Sequence, residues 1–488
     1  MRLKESQTLI YNIKTVRLLT VFLIIKYKIC KNVDFYLVIL CDICYLEVRK
    51  NISEFSKGSD FMSSTLNKNT RILSIDRFRG TVIFCMVIFQ FISYFPNLGA
   101  IANISSHAPS ENAIYILPNY AIADVIAPMF ILAIGLTYVQ SFRRRAEKDG
   151  TKSAVIHFVK RNLTLIGIGI AMNGVNNLLN GEFEPLNIVI ITMTVGVLVS
   201  GLLTLIFTKL KKVKKVFSVI LQVLLLVMGV AGIIITTVNF FMLCLGKTTD
   251  SYGYWLVLHH IGLAGLVALP FVTINNKWGG AIRFIVGIVI FVLFALFHEG
   301  NLAGDLFESN MQLIDVVADG GLMGGIAYGA MMLIYTAFAD IYYADKKKFL
   351  ASVAIFAVPV AFILAGVFKT LPETETFANA LSTFLPVNKG SISPSYVLIS
   401  MVLSFIGFII YDMFNFYKGK FDPLAWWGKN PILLYIIEFA FIGALTAFLG
   451  DFFHGASTGL SAVIVIVITA LLSGLAYLLN RKNIILKL

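Results

Sequence analysis

Twelve apolar runs, each about the 20 residues a helix needs to cross a bilayer, follow one another from Phe78 to the end of the chain. They fall at 78–96, 119–142, 155–178, 187–208, 216–245, 254–274, 282–298, 321–341, 350–368, 396–416, 431–450 and 458–479. No other feature narrows the fold as much. Inside hydrocarbon every backbone N–H and C=O must find a partner within its own helix or in a closed barrel, and runs this long without polar alternation suit helices. The expected fold is all-α, a polytopic transmembrane bundle of about eleven to thirteen helices.

Composition enters as a check. Hydrophobic residues make up 58% of the 488 and charged ones only 14%, with a mean hydropathy of +0.83, whereas soluble domains carry about 25% charge. A soluble enzyme, a disordered chain and a disulfide scaffold are excluded. The net charge of +13 does not point to nucleic acid, because the basic residues sit in short clusters between apolar runs. No nucleic-acid partner is expected; the bilayer is. Cys30, Cys41, Cys44, Cys85 and Cys244 form no CxxC or Cys/His pattern, and no metal is expected. His259-His260 and His298-Glu299 lie at run ends, but adjacent side chains on a helix diverge by about 100°, which spoils the first pair as a chelate.

Residues 1–61 read differently. Their apolar stretch, Leu18 to Leu46, is interrupted by Lys26, Lys28, Lys31, Asp34 and Asp42, charges that are costly near a bilayer centre. We expect a poorly matched extension from a misassigned start, with Met62 opening a multi-pass domain over 62–488.

Charge sets the orientation. From Met62 onward every Lys and Arg except Lys247, Lys369 and Lys389 falls on one side of the predicted bundle, in segments such as RRRAEKDGTK (143–152), KLKKVKK (209–215) and DKKK (345–348). By the positive-inside rule that side is cytoplasmic, and both termini are expected there. The opposite loops, including 97–118, 298–320 and 369–395, are expected to be extracytoplasmic. Their Asn, acidic and aromatic residues suit a hydroxyl-rich acceptor.

Five blocks then carry a family resemblance. RILSIDRFRGTVIFCMVIFQ (71–90), ADVIAPMFILAIGLTYVQSFRRR (123–145), ADGGLMGGIAYGAMMLIYTAFADIY (318–342), LPVNKGSISPSYVLIS (385–400) and WWGKNPILLYIIE (426–438) occur in this order. Together they resemble the heparan-α-glucosaminide N-acetyltransferase family of multi-pass membrane acyltransferases and its bacterial relatives. The resemblance implies transfer of an acetyl group from cytosolic acetyl-CoA, the acyl donor, to a sugar hydroxyl or amine on an extracytoplasmic glycan or amino sugar. It also implies a place in the inner or plasma membrane, with the cell envelope as the setting. Any self-association is expected to be a homodimer. PLNIVIIT (185–192) departs from the family, which has Gln-Arg before that helix. A secondary transporter or flippase for a small polar or glycan-related solute is the alternative, since twelve spans with sparse charge describe a carrier as well; paired broken helices and internal repeats are not evident.

The resemblance assigns the catalytic base to His107, ten residues beyond Asn97-Leu98-Gly99. A residue with a pKa near neutrality suits proton removal from an attacking hydroxyl or amine, and an imidazole can also carry the acetyl group; the other reading is a solvated loop histidine. The gap from His107 to Asp124 exceeds the family spacing and requires a short insertion. Asp124 either orients His107, binds a substrate hydroxyl or pairs structurally near a helix start. Asn97 either donates to a developing oxyanion or caps a helix end. Arg79 either binds CoA phosphates with its planar fork or anchors at the interface. Asn388, Lys389 and Glu438 are the substrate-binding candidates, Glu438 because a mid-helix charge must face the bundle interior or a watery cavity.

Overall fold

The computed structural model describes residues 72–107, 114–117, 120–207, 210–244, 257–274, 276, 278–299, 321–367, 387, 389–390, 392–413, 421–482 and 484. The 1–61 extension therefore lies outside the described residues. Thirteen α-helices are present among those described: α1 Leu73–Ser93, α2 Ile126–Asp149, α3 Thr151–Asn180, α4 Pro185–Ile206, α5 Lys211–Cys244, α6 Val257–Val272, α7 Gly279–Glu299, α8 Gly321–Ala344, α9 Lys346–Val367, α10 Pro394–Met413, α11 Pro423–Lys429, α12 Pro431–Gly455 and α13 Thr458–Arg481. Each of the twelve predicted runs has its helix. Eight helices are long and apolar enough to cross a membrane, while α6 and the first part of α12 are shorter apolar helices. The chain is a helical, multi-pass membrane protein, with one short two-stranded ladder among the described residues.

The thirteenth helix, α11, is too short for periodicity to reveal. Its ends are nevertheless written in the sequence: Asp422 accepts from the Ala425 N–H at 3.0 Å as N-cap, Pro423 takes the first turn, and Pro431 starts the next helix. Glycine lets α11 lie against α1. A Cβ on Gly80 would stand 1.7 Å from the Leu424 carbonyl oxygen, and one on Gly428 would stand 1.9 Å from that of Asp76. Both obstacles are backbone, so only glycine fits. α3 and α5 cross in the same way, through Gly167 against Leu225 and Gly229 against Leu163, as small residues do at membrane helix interfaces.

α8 is the central post, buried through almost its full length and packed on α2, α6, α7, α9 and α10. Aromatic side chains fill the space around it, with Phe338 against Phe349, Phe356 and Phe405. By contrast α4, α5, α7 and α13 turn Leu198, Leu202, Val223, Ile234, Leu293, Ile466 and Leu471 outward. An apolar exterior around a packed interior is what a lipid solvent requires.

The second predicted run divides. Only Ile126–Asp149 is α-helical; before it come a two-stranded antiparallel ladder, Tyr115–Leu117 with Tyr120–Ala121, and a 3-10 turn, Ile122–Val125. The Asp124 carboxylate accepts the Ala121 N–H at 2.8 Å, a local bond that competes with helix and delays α2.

Candidate active site: a histidine held by a buried carboxylate

After α1 the chain runs through a 3-10 stretch, Pro96–Ser105, broken at Gly99, whose φ of 56° and ψ of −126° suit glycine. His107 follows. Its Nδ1 lies 2.7 Å from Asp124 Oδ1, although 17 residues separate the two. The ladder pairs Tyr115 with Ala121 and Leu117 with Tyr120, so this stretch adds chain length between His107 and Asp124 without separating them.

The two partners differ in exposure. Asp124 is fully covered, while the His107 side chain is half exposed. An ionised carboxylate only accepts, so in the pairing with ionised Asp124 it is Nδ1 that donates, which leaves Nε2, across the ring, as the acceptor nitrogen. Asp124 is fixed in turn: Oδ2 takes the Ala121 N–H, and its backbone carbonyl accepts from the Tyr396 hydroxyl at 2.8 Å. Tyr120 stacks on Tyr396 with ring centroids 5.6 Å apart, and its hydroxyl meets Ser400 Oγ at 2.7 Å. Loop and α10 thus exchange hydrogen bonds through two stacked tyrosines. Burial pushes the Tyr120 phenol well above its usual range, so it remains neutral.

The remaining predicted residues are spread over the bundle. The Asn97 amide donates to the Ala456 carbonyl, and the Asn97 carbonyl accepts from Thr458 Oγ1 at 2.9 Å; Asn97 thereby ties the loop to the start of α13. Lys389 lies in the turn ahead of α10, where the Ile392 N–H donates to its carbonyl at 3.0 Å. Asn388 lies outside the described residues. Arg79 points from α1 into the bundle toward α2, with NH2 donating to Thr137 Oγ1 at 3.0 Å and to the Ala133 carbonyl at 3.2 Å. Glu438, on α12, is 1% exposed, and its Oε1 has no hydrogen-bond partner among the described residues. His259 and His260 are buried in α6, with His260 against the Tyr328 ring. Among the described residues no group of three His, Cys, Asp or Glu side chains is placed to hold a metal ion.

Tyr120, Tyr396 and Ser400 were not singled out by sequence reasoning. Tyr396 and Ser400 stand inside the fourth quoted block, SPSYVLIS, which was legible as a helix start but not as a support for Asp124.

Fold and site define a class: a helical membrane protein with a carboxylate-held imidazole at one mouth of the bundle. Residues 71–230 match the family model for heparan-alpha-glucosaminide N-acetyltransferase, catalytic. That segment contains α1, His107, Asp124 and α2, and over it the chain is similar to that family. No curated protein matches the chain.

Proposed function

We propose that the chain transfers an acetyl group from cytosolic acetyl-CoA to a hydroxyl or amine of a sugar on the extracytoplasmic side. The observation that carries this reading is the 2.7 Å contact between a half-exposed His107 and a fully covered Asp124. In this scheme Nε2 removes the acceptor proton as the acceptor oxygen or nitrogen attacks the thioester carbonyl. The C–S bond breaks, and the imidazolium returns its proton to the departing thiolate. Asp124 stabilises the imidazolium between these steps. An acetyl-imidazole intermediate at Nε2 is the variant route. Lys389 and Glu438 are proposed to contact the acceptor, together with Asn388; Asn97 is proposed to position the loop or donate to the oxyanion. Arg79 is proposed on the donor side.

The orientation follows the basic asymmetry of the sequence: both termini on the cytoplasmic side, His107 opposite. A path across the bilayer is part of the proposal, because donor and acceptor approach from different ends.

The test is purified full-length protein in nanodiscs with radiolabelled acetyl-CoA and a panel of amino-sugar and cell-envelope glycan acceptors. Label transfer that requires His107 supports the scheme. Binding or uptake of the glycan with no acetyl transfer favours the transporter reading instead.

A further inference from the structure

We propose that the first turn of α7 is a phosphate-binding site, walled by Arg283 and Arg143 and braced by Asp340. Three helices meet there. Arg143, in the last part of α2, forks onto Asp340 near the end of α8, with NH1 to Oδ1 at 3.0 Å and NH2 to Oδ2 at 3.1 Å. Arg283, in the first turns of α7, donates through NH2 to the same Oδ2.

One carboxylate serves two guanidinium groups, which leaves an excess positive charge. The Arg283 side chain is 0% exposed, and among the described residues its Nε and NH1 have no hydrogen-bond partner; nor does Arg143 Nε. Buried charges are costly unless paired and hydrogen-bonded. The covered donors of the cluster are disposed to take an anion.

The backbone points the same way. Arg283 follows Gly279 and Gly280 in a helix of 21 residues, and the first amides of a helix concentrate positive potential and lack internal acceptors. A Cβ on Gly280 would be in ordinary contact with the cluster, with Asp340 Oδ2 at 3.6 Å and Arg283 NH2 and Asp340 Cβ at 3.9 Å as its nearest neighbours. Arg283 NH1 lies 3.4 Å from where a Gly279 Cβ would be. Arg283 NH1 thus adjoins the N-terminal turn, where the Ile274 carbonyl also faces Gly279 and the Gly279 N–H donates to the Asn276 carbonyl, and Arg143 and Asp340, about a fifth exposed, form the open edge. A phosphate supplies the missing charge and several acceptors, and the arginine fork matches its geometry.

The ligand chemistry is a phosphate mono- or diester group, and two sources can bring it: a soluble nucleotide-type phosphate or a lipid headgroup. The identification of the first with the acyl donor rests on the acyltransferase reading; the site does not.

The full chain is reconstituted in nanodiscs of phosphatidylcholine or of phosphatidylglycerol, and its unfolding midpoint is followed with added inorganic pyrophosphate and CoA. Pyrophosphate and CoA are expected to raise the midpoint in phosphatidylcholine, with apparent affinity falling about 10- to 100-fold in Arg143→Gln and Arg283→Gln, the loss of a charge-assisted hydrogen bond. A rise only on changing to phosphatidylglycerol assigns the site to a headgroup phosphate. Gly280→Asp places a second carboxylate beside Arg283 NH2 and Asp340, so it should abolish the ligand shift; this variant stands in should Arg283→Gln fail to fold. No shift with any of the three probes overturns the proposal, as does a shift that survives in Gly280→Asp. A wild type that binds pyrophosphate but transfers no acetyl keeps this site and ends the acyltransferase reading. Unchanged KM for acetyl-CoA in a Gly280→Asp variant that has lost its pyrophosphate shift removes the donor as occupant and leaves the lipid.

Discussion

At His107 the surroundings separate two jobs. The ring needs solvent and substrate access, while Asp124 needs cover, and the structure gives half exposure to one and none to the other. His107→Ala is expected to abolish acetyl transfer, with a loss of at least the 10²–10⁴ typical of a removed general base. The unfolding midpoint should fall only modestly: the half-exposed ring contributes little packing, although its loss removes one hydrogen bond from the covered Asp124 carboxylate. Residual turnover above roughly a tenth of wild type would exclude His107 as the base. Asp124→Asn tests the support separately. An amide in that place presents only one acceptor oxygen to the two donors, the His107 Nδ1–H and the Ala121 N–H, so kcat should fall about 100-fold or more with KM nearly unchanged. Tyr396→Phe acts one step further back. It leaves the Asp124 carbonyl without its buried donor and is expected to cost about 1–3 kcal/mol in stability, read as a lowered unfolding midpoint.

At the scale of elements, close backbone contact makes sharper predictions than hydrophobic burial. Gly428→Ala sets a methyl 1.9 Å from the Asp76 carbonyl oxygen, and neither backbone can yield without moving a helix. The cost should reach or exceed the roughly 1–3 kcal/mol of ordinary overpacking, measured as a drop in unfolding midpoint. Gly450→Ala, with nothing within 4 Å of its added Cβ, is the matched control and should be nearly silent. The same elements show what a sequence displays and what it hides. Long apolar runs are counted directly, and each of the twelve contains a helix. α11 escaped because seven residues span only two turns, too few for a 3.6-residue period to emerge. The run at 119–142 was read as starting too early because Asp124 spends its carboxylate on the Ala121 amide, a local choice invisible to hydropathy. His107 and Asp124 were both named from sequence, yet their contact was obscured by the long gap between them. Spacing along a chain bounds the reach of a loop but does not fix the distance between its ends, and the ladder at 115–121 absorbs the difference. The Arg143–Asp340–Arg283 cluster was hidden for a similar reason: its members come from three helices, and the arginines resembled ordinary interfacial anchors.

For the whole molecule, the polar contacts sort into two ends, and the sorting agrees with the loop count. Arg77 with Asp422, Asp412 with Ser74, Tyr342 and Lys346, Asp340 with Arg143 and Arg283, and Lys429 with Asn480 all join segments that the basic asymmetry assigns to one side. His107 with Asp124, Tyr396 with Asp124 and Thr458 with Asn97 join segments assigned to the other. No described contact among these links opposite ends, so the alternation of helices read from charge is geometrically self-consistent. Which end faces the cytoplasm is a separate question, and it decides the chemistry, because a donor confined to the cytosol must reach His107 from below. The check is labelling in intact cells on a background with the five native cysteines replaced. Ser110→Cys, in the loop that carries His107, should react with an impermeant thiol reagent added outside. Asp149→Cys, at the exposed end of α2 beside the basic cluster, should react only after the membrane is opened. The reversed pattern would put His107 in the cytoplasm with acetyl-CoA, remove any need for a path across the bilayer, and turn the proposed reaction into a one-sided acylation.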